Sequence, residues 1–445
     1  MSDHVSRLAV LGGSPAHTLS APKYPELSPV VFDRIRETLD RGPMQGLSKA
    51  HPLIRELEEQ LAAFHGVEHV LGASSGHGAL QSALIGLELT GGDEVITSPY
   101  SWGASVSCIL HNNAVPVFTE VLPNTGLLDP DMLEHGLTPR TRAILVPHIY
   151  GQPANMTAIM AFAQGHGLQV IEDGSQAHGA RHRGVRVGGF GDASGFSING
   201  VKPLATTEGG YMLAREADVY WNAVISCQHA GRSEMAGRAT DPGFPERLRP
   251  AIDSLVYTYR PNLVSALLAL EGLSKLDAEN AARRRNVELF KRHLAGVRSV
   301  RMPESSAEDE CVYHMLTLNF DAAHAGVSRD TYLRALQAEG VPAVVYVEKS
   351  LHKSPRLSPD WDGPRVMWTQ TLRTAGYDAT TVDLPACDLK VARSIEVPWN
   401  YFREDEALMA SMACAFVKVE ECLDELRNWE KSAIVDSRSS ASVNI

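Results

Sequence analysis

RAILVPHIYGQPANMTAIMAFAQGHGLQVIEDGS, from Arg142 to Ser175, carries the pattern on which the fold turns. An apolar run, Ala143 to Val146, is followed by a Pro- and Gly-containing stretch and then by an amphipathic segment, Met156 to Gly167. A second apolar run follows and ends in two acids, Glu172 and Asp173. Strand, helix and strand at this spacing form a βαβ unit, whose crossover helix makes the two strands parallel.

The same alternation extends on both sides. HVLGAS (His69–Ser74) reads as strand and GALQSALIGLEL (Gly78–Leu89) as helix; DEVITSP, SVSCILHNN and VPVFTEV read as strand, helix and strand. ASGFSI (Ala193–Ile198) and GGYMLA (Gly209–Ala214) add two short strands. This predicts a large α/β domain over 31–290, with a mainly parallel sheet covered on both faces. PNLVSALLALEGLSKLDAENAARRRNVELFKR, from Pro261 to Arg292, has a helical period and predicts a linker helix. VYHMLTLNF, RDTYLRALQAEG, PAVVYV and ALMASMACAFVKVEECLDEL then read as strand, helix, strand and helix of a smaller α+β domain over 291–430. Residues 1–30 form an N-terminal segment, and 431–445, without pattern, predict a disordered tail.

Composition narrows the function. The chain has 445 residues, 44% hydrophobic and 21% charged, with a net charge of −12. An acidic chain is poorly matched to a phosphate backbone or an anionic bilayer, so neither nucleic acid nor membrane is expected as a partner. No apolar run approaches the roughly 18 residues of a membrane span, and no basic, apolar leader is read at the start. Six scattered cysteines without CxxC spacing predict a reduced, cytoplasmic protein with neither a zinc cage nor a disulfide framework.

Four stretches carry chemistry. In ASSGHGALQSAL a small-residue turn at Ser74–Gly76 opens a helix at His77 or Gly78, either an anion cup or an ordinary capped turn. In VIEDGSQAHGA, Asp173 stands at a strand's carboxyl end, where it either pairs with a cationic ligand atom or caps a turn. In SPYSWGAS, Trp102 either stacks on a flat ring or is core. In FSINGVKPLATTEGGYML, Lys202 sits in a small, nearly uncharged turn where a solvated lysine is the ordinary expectation. A phosphate cup, a carboxylate for a ring cation, an aromatic wall and a lysine together describe a site for pyridoxal 5′-phosphate (PLP).

The chain resembles the DegT/DnrJ/EryC1/StrS family of PLP-dependent sugar aminotransferases from about Tyr24 to Leu426. The likeness is densest over GDEVITSPYSWGAS, LTPRTRAILVPHIYGQPANMTAIMAFAQGHGLQVIEDGSQAHGA and GDASGFSINGVKPLATTEGGYM. It implies a fold-type I transferase with a seven-stranded type of sheet, acting as a homodimer with shared active sites. By position, it implies that Lys202 holds PLP covalently and shuttles the proton, and that Asp173 keeps the pyridine nitrogen protonated. It also implies Gln176 beside the ring's phenolic oxygen, Ser197, Gly76 and His77 at the phosphate, and Trp102 against the ring. TYRPN, with Thr258, matches a segment lent by the partner subunit to the phosphate site.

Departures cluster at the substrate end. His77 replaces a usual threonine and Thr258 a frequent asparagine. QHAGRSEMAGRATDPGFPERLRP predicts a long active-site loop, 358–388 reads as an insertion, and EVPWNYF (Glu396–Phe402) replaces an LP run. Tyr346 and His352 are expected near the rim. The activity implied is ping-pong amino transfer from glutamate or glutamine to a keto-sugar or keto-cyclitol. The alternatives are another PLP reaction on the same fold, dehydration or amino-acid modification, and a non-catalytic PLP-binding regulator. A dehydratase of this family carries histidine in place of the lysine.

Overall fold

The computed structural model describes residues 7–41, 51–229, 231–232, 243–364 and 366–441. Seven strands form the main sheet: β1 (His69–Ala73), β2 (Glu94–Thr97), β3 (Val115–Phe118), β4 (Thr141–Pro147), β5 (Gln169–Asp173), β6 (Ala193–Ser197) and β7 (Gly210–Ala214). Their spatial order is β1-β7-β6-β5-β4-β2-β3. The pairs from β3 through β6 are parallel, and β7 runs antiparallel to both of its neighbours. The expected fold class is therefore the one observed.

Strand side chains alternate between two cores, as a period of two requires. Val95, Ala143, Leu145 and Ile171 pack with helices α3 (Gly76–Gly86), α4 (Ala104–His111) and α6 (Ala217–Cys227) on one face. Ile96, Ile144, Val146 and Val170 pack on the opposite face with α5 (Met156–His166). The edge half of that face, with Val70, Phe196 and Leu213, is covered by α2 (Pro52–His65) and the start of α7 (Leu263–His293). The first helix, α1 (Pro29–Asp40), packs through Val31 on Leu267 and Leu268 of α7.

The second body is built on the three-stranded sheet β8 (Val300–Arg301), β9 (Met315–Phe320) and β10 (Ser394–Pro398). Its core joins the last turns of α7, through Val287 and Phe290, to α8 (Arg329–Ala338) and α11 (Glu406–Glu421). Leu8, from the opposite end of the chain, is fully buried in the same core.

Three sequence expectations change. PAVVYV is not a strand: only Val344 makes a bridge, to Glu396 of β10. The last helix, α12 (Leu423–Ala441), continues well past Lys431, so the expected tail is helical as far as Ala441, and 442–445 lie outside the described residues. The continuation carries no Gly or Pro to stop it, and it extends a helix already anchored at its start through Leu423 and Leu426. Third, Val347, Leu357, Trp368, Leu372 and Cys387 pack in the core of the large sheet. The chain thus returns to the large body within the stretch assigned to the small domain, and the insertion there folds as short turns, α9 (Thr369–Ala375) and α10 (Pro385–Arg393). Residues 233–242 of the expected long active-site loop lie outside the described residues.

Candidate active site

Loops leaving the carboxyl ends of the parallel strands enclose a pocket of about 350 Å³, where an open α/β sheet ordinarily binds its ligand. Gly76, His77, Trp102, Asp173, Gln176, Ser197 and Lys202 all line it, although they are spread over 127 positions of sequence. Thr258 does not line this pocket. It has a left-handed backbone, φ 61°, and lies on a segment whose Tyr259 packs beside Gly78 and donates from its hydroxyl to Gln81 at 2.7 Å. His352 is also absent from the pocket lining: it is buried next to Phe118, with both ring nitrogens lacking a protein partner.

The small-residue turn is a capped helix start that opens on the pocket. Ser75 Oγ accepts from Gly78 N at 3.0 Å and caps α3. Gly76 and His77 occupy the first turn, whose amides have no intrahelical acceptor and stand at the positive end of the dipole. A Cβ on Gly76 would lie 2.4 Å from Ser197 Cβ, so the absence of a side chain is what lets the turn close on the end of β6. The His77 ring points elsewhere, sharing hydrogen bonds with Ser107 Oγ at 3.3 Å and His111 Nδ1 at 3.0 Å. Burial, then the neighbouring His111, holds His77 below the ordinary histidine range.

Asp173, 8% exposed, accepts from Ser105 Oγ at 2.7 Å and from Ser175 N at 3.1 Å. It both caps the turn and keeps a carboxylate at the pocket wall. Behind it, Glu172 is fully buried and accepts from the amides of Gly188, Phe190 and Gly191, each at 2.8 Å. His148 Nδ1 accepts from Ala154 N, so Nε2 carries the proton that it donates to Glu172 at 3.1 Å. Burial alone would raise Glu172, but the bond from His148 and those amides outweigh it and hold the carboxyl below its usual value.

Lys202 lies in the turn between β6 and β7, its amide donating to Asn199 O at 2.9 Å. The Tyr24 hydroxyl donates to Lys202 O at 3.0 Å and ties the N-terminal segment to this turn. Burial lowers the Lys202 ammonium from the ordinary lysine range, while Asp173 draws it partly back. Desolvation thus makes the neutral, nucleophilic amine more accessible than on a surface lysine. Gln176 is clamped from two sides, accepting from Tyr150 N at 2.7 Å and donating from Nε2 to the Tyr346 hydroxyl at 3.1 Å. Tyr150 holds that geometry with a left-handed backbone, φ 63°, a strained conformation for a bulky residue. Trp102 is 61% exposed and tilts against Tyr346, with ring centroids 6.0 Å apart, so it is pocket wall and not core.

Sequence reasoning missed Tyr24, Ser105, His148, Glu172 and Tyr150. Only Glu172 left a signal, as the first of two adjacent acids at a strand end, one of which must face the interior. No group of three or more potential metal-ligating side chains occurs among the described residues.

A lysine, a carboxylate and a small-residue helix start thus meet in one pocket at the strand ends of a sheet of this order, the arrangement of an α/β enzyme. The family model for the DegT/DnrJ/EryC1/StrS aminotransferase family matches residues 32–374, and the chain belongs to that family and is an aminotransferase. It is 34% identical over 428 residues to the L-glutamine:2-deoxy-scyllo-inosose aminotransferase of Streptomyces paromomycinus, covering 93% of this chain and 97% of that one. Among solved structures, S. venezuelae DesV matches with a TM-score of 0.71 at 26% identity, covering 93% and 99% of the two chains. The fold is shared as well with ntda from Bacillus subtilis, solved with its cofactor PMP, at a TM-score of 0.69 and 20% identity over 90% and 86% of the chains.

Proposed function

We propose that the chain moves an amino group from glutamine or glutamate to the ketone of a sugar or cyclitol, using PLP, as a cytoplasmic homodimer. The observation that carries this is the convergence of Lys202, Asp173 and the Gly76 cup on one pocket. The donor set suits the cofactor: helix-start amides and Ser197 for a phosphate, Asp173 for a ring cation, Gln176 for a phenolic oxygen and Lys202 for an aldehyde. When bound, PLP supplies the electron sink that makes the donor's Cα–H acidic. Lys202 Nζ, partly desolvated, takes that proton as a base and returns it as an acid on the acceptor side. Ser105 and Ser175 orient Asp173, and the Tyr150 amide and Tyr346 hydroxyl fix the Gln176 side-chain amide. The cyclitol acceptor and glutamine donor named for the S. paromomycinus relative set the first substrates to try.

Homodimerisation is supported by the exposed Val30, Phe32, Leu255 and Tyr257, and by Thr258 standing apart from its own pocket. All six cysteines are free, as in a reducing compartment, and no helix among the described residues is long and apolar enough to cross a membrane. The test is a half-reaction screen. Purified protein should be yellow, with a visible band that borohydride fixes to the chain in wild type but not in Lys202→Ala, which should also lose turnover. Glutamine should bleach the band, and an inosose or keto-sugar should restore it. A colourless protein that takes up no added PLP sinks the proposal.

A further inference from the structure

Glu396 is a fully buried acid to which the amino-transfer chemistry gives no role. It belongs to EVPWNYF, a departure from the family pattern, and among the described residues no lysine, arginine or histidine is ion-paired with it. A buried carboxylate is held only where hydrogen bonds replace its water. Here the donors come from three parts of the fold. Oε2 accepts from Tyr346 N at 3.0 Å, while Oε1 accepts from Thr317 Oγ1 of β9 at 3.0 Å and from the Tyr100 hydroxyl at 3.4 Å. Lys390 Nζ donates to Thr317 Oγ1 at 2.8 Å, one hydrogen bond removed from the carboxylate.

This explains why PAVVYV is not a strand. The segment is fastened to β10 by the Val344–Glu396 backbone bridge, and two residues on, the amide of Tyr346 goes to the carboxylate instead of to a ladder. Tyr346 lines both the Lys202 pocket and the cavity beside it. Its hydroxyl takes the Gln176 bond and its ring tilts against Trp102, and the same two rings also line an outer cavity of about 790 Å³. Trp102 and Tyr346 therefore form part of the shared wall between that cavity and the pocket that holds Lys202.

Resting on the amino-transfer reading, we propose that Glu396 is a positioning residue that fixes Tyr346, and so sets the wall between the outer cavity and the Lys202 pocket and with it the affinity for the acceptor. Its reach matters more than its charge. Glu396→Gln keeps a carbonyl for the Tyr346 amide, whereas Glu396→Asp keeps the charge but withdraws it by one methylene, and Glu396→Leu removes every acceptor.

Two readouts test this. In hydrogen exchange on the cofactor-free protein, the Tyr346 amide should exchange at least about tenfold faster in the Leu variant and near wild type in the Gln variant. In turnover, the acceptor KM should stay within about threefold of wild type for Gln and rise at least about threefold for Asp and tenfold for Leu, with kcat less affected. If the Leu variant does not fold, the Asp and Gln variants decide. An Asp variant like wild type beside an impaired Gln variant overturns the proposal, as does unchanged Tyr346 exchange in the Asp and Leu variants. Because exchange needs neither cofactor nor turnover, a wild-type protein that aminates no ketone refutes the functional reading separately, while faster exchange confined to Tyr346 still supports its fixation by Glu396.

Discussion

Alanine at position 76 would set a methyl carbon 2.4 Å from Ser197 Cβ and 2.9 Å from Ser197 Cα. Carbon atoms in ordinary contact stay about 3.5–4.0 Å apart, so the first turn of α3 and the end of β6 must separate by roughly 1 Å. Neither side yields cheaply, because the obstacle is a strand backbone and its Cβ, not the tip of a flexible chain. Overpacking of this kind costs about 1–3 kcal/mol. The two pieces forced apart are the two halves of the proposed phosphate cup, so on that proposal the loss should reach the cofactor, at tenfold in affinity for each 1.4 kcal/mol or so. Gly76→Ala should therefore bind PLP about ten- to a hundredfold more weakly, measured by titrating cofactor-free protein and following the visible band, and should melt at a lower temperature. Gly103→Ala is the matched control: at the start of α4, with φ −55°, a Cβ there meets nothing within 4 Å. A Gly76→Ala protein that binds and melts like wild type, or a Gly103→Ala protein equally weakened, would refute the cup.

Asp173→Asn keeps the shape but not the charge, so turnover should fall roughly ten- to a hundredfold, the equivalent of a charge-assisted hydrogen bond of about 1.5–3 kcal/mol, with little change in melting temperature; unchanged kcat would remove the carboxylate from the chemistry. Acid should destabilise the protein through its buried histidines. Burial pushes His65 from 6.5 down to about 4, with Nδ1–H donating to Val187 O and Nε2 accepting from the Tyr211 hydroxyl. Between those values the unfolded chain binds the extra proton. His65 therefore contributes fully above about pH 7 and loses about 2 kcal/mol by pH 5 and about 3 kcal/mol once both states are protonated. His178 and His314, held well below the ordinary range by burial, act in the same direction, so denaturation midpoints that stay level from pH 7.5 to 5 would contradict this. Arg232→Met strands Glu58, which now takes both guanidinium nitrogens at 3.0 and 2.9 Å in a buried pair. The expected loss is about 3–5 kcal/mol by chemical denaturation.

The sheet was legible because each strand is a short buried run bounded by turn residues, and burial on both faces leaves little room for another reading. That Lys202, Asp173 and the Gly76 turn would share one pocket was legible from the extended family resemblance together with their places at strand ends, which are fixed points of such a sheet. What remained hidden depends on partners far apart. Ser105 reaches Asp173 across 68 positions, and Tyr24 reaches Lys202 across 178. PAVVYV has the composition of a strand, but the bond that decides its geometry comes from Glu396, which local pattern cannot supply. His77 showed as a departure from threonine, yet only the fold reveals that its ring turns to His111.

Leu8, buried among residues that include Phe416 and Trp399, places the beginning of the chain in the core that its end completes. Glu339 reinforces the closure, taking the amides of Ala9 and Ala16 and the ammonium of Lys418 at 2.7–2.9 Å. During synthesis Leu8 must therefore wait, uncovered, until the segment that carries Trp399 and Phe416 has been made. The large sheet can assemble while translation continues, but the body that carries Glu396 closes last. Removing Leu8 or the α11 residues that cover it should thus produce a chain with a formed sheet and an open second body, prone to chaperone capture and proteolysis.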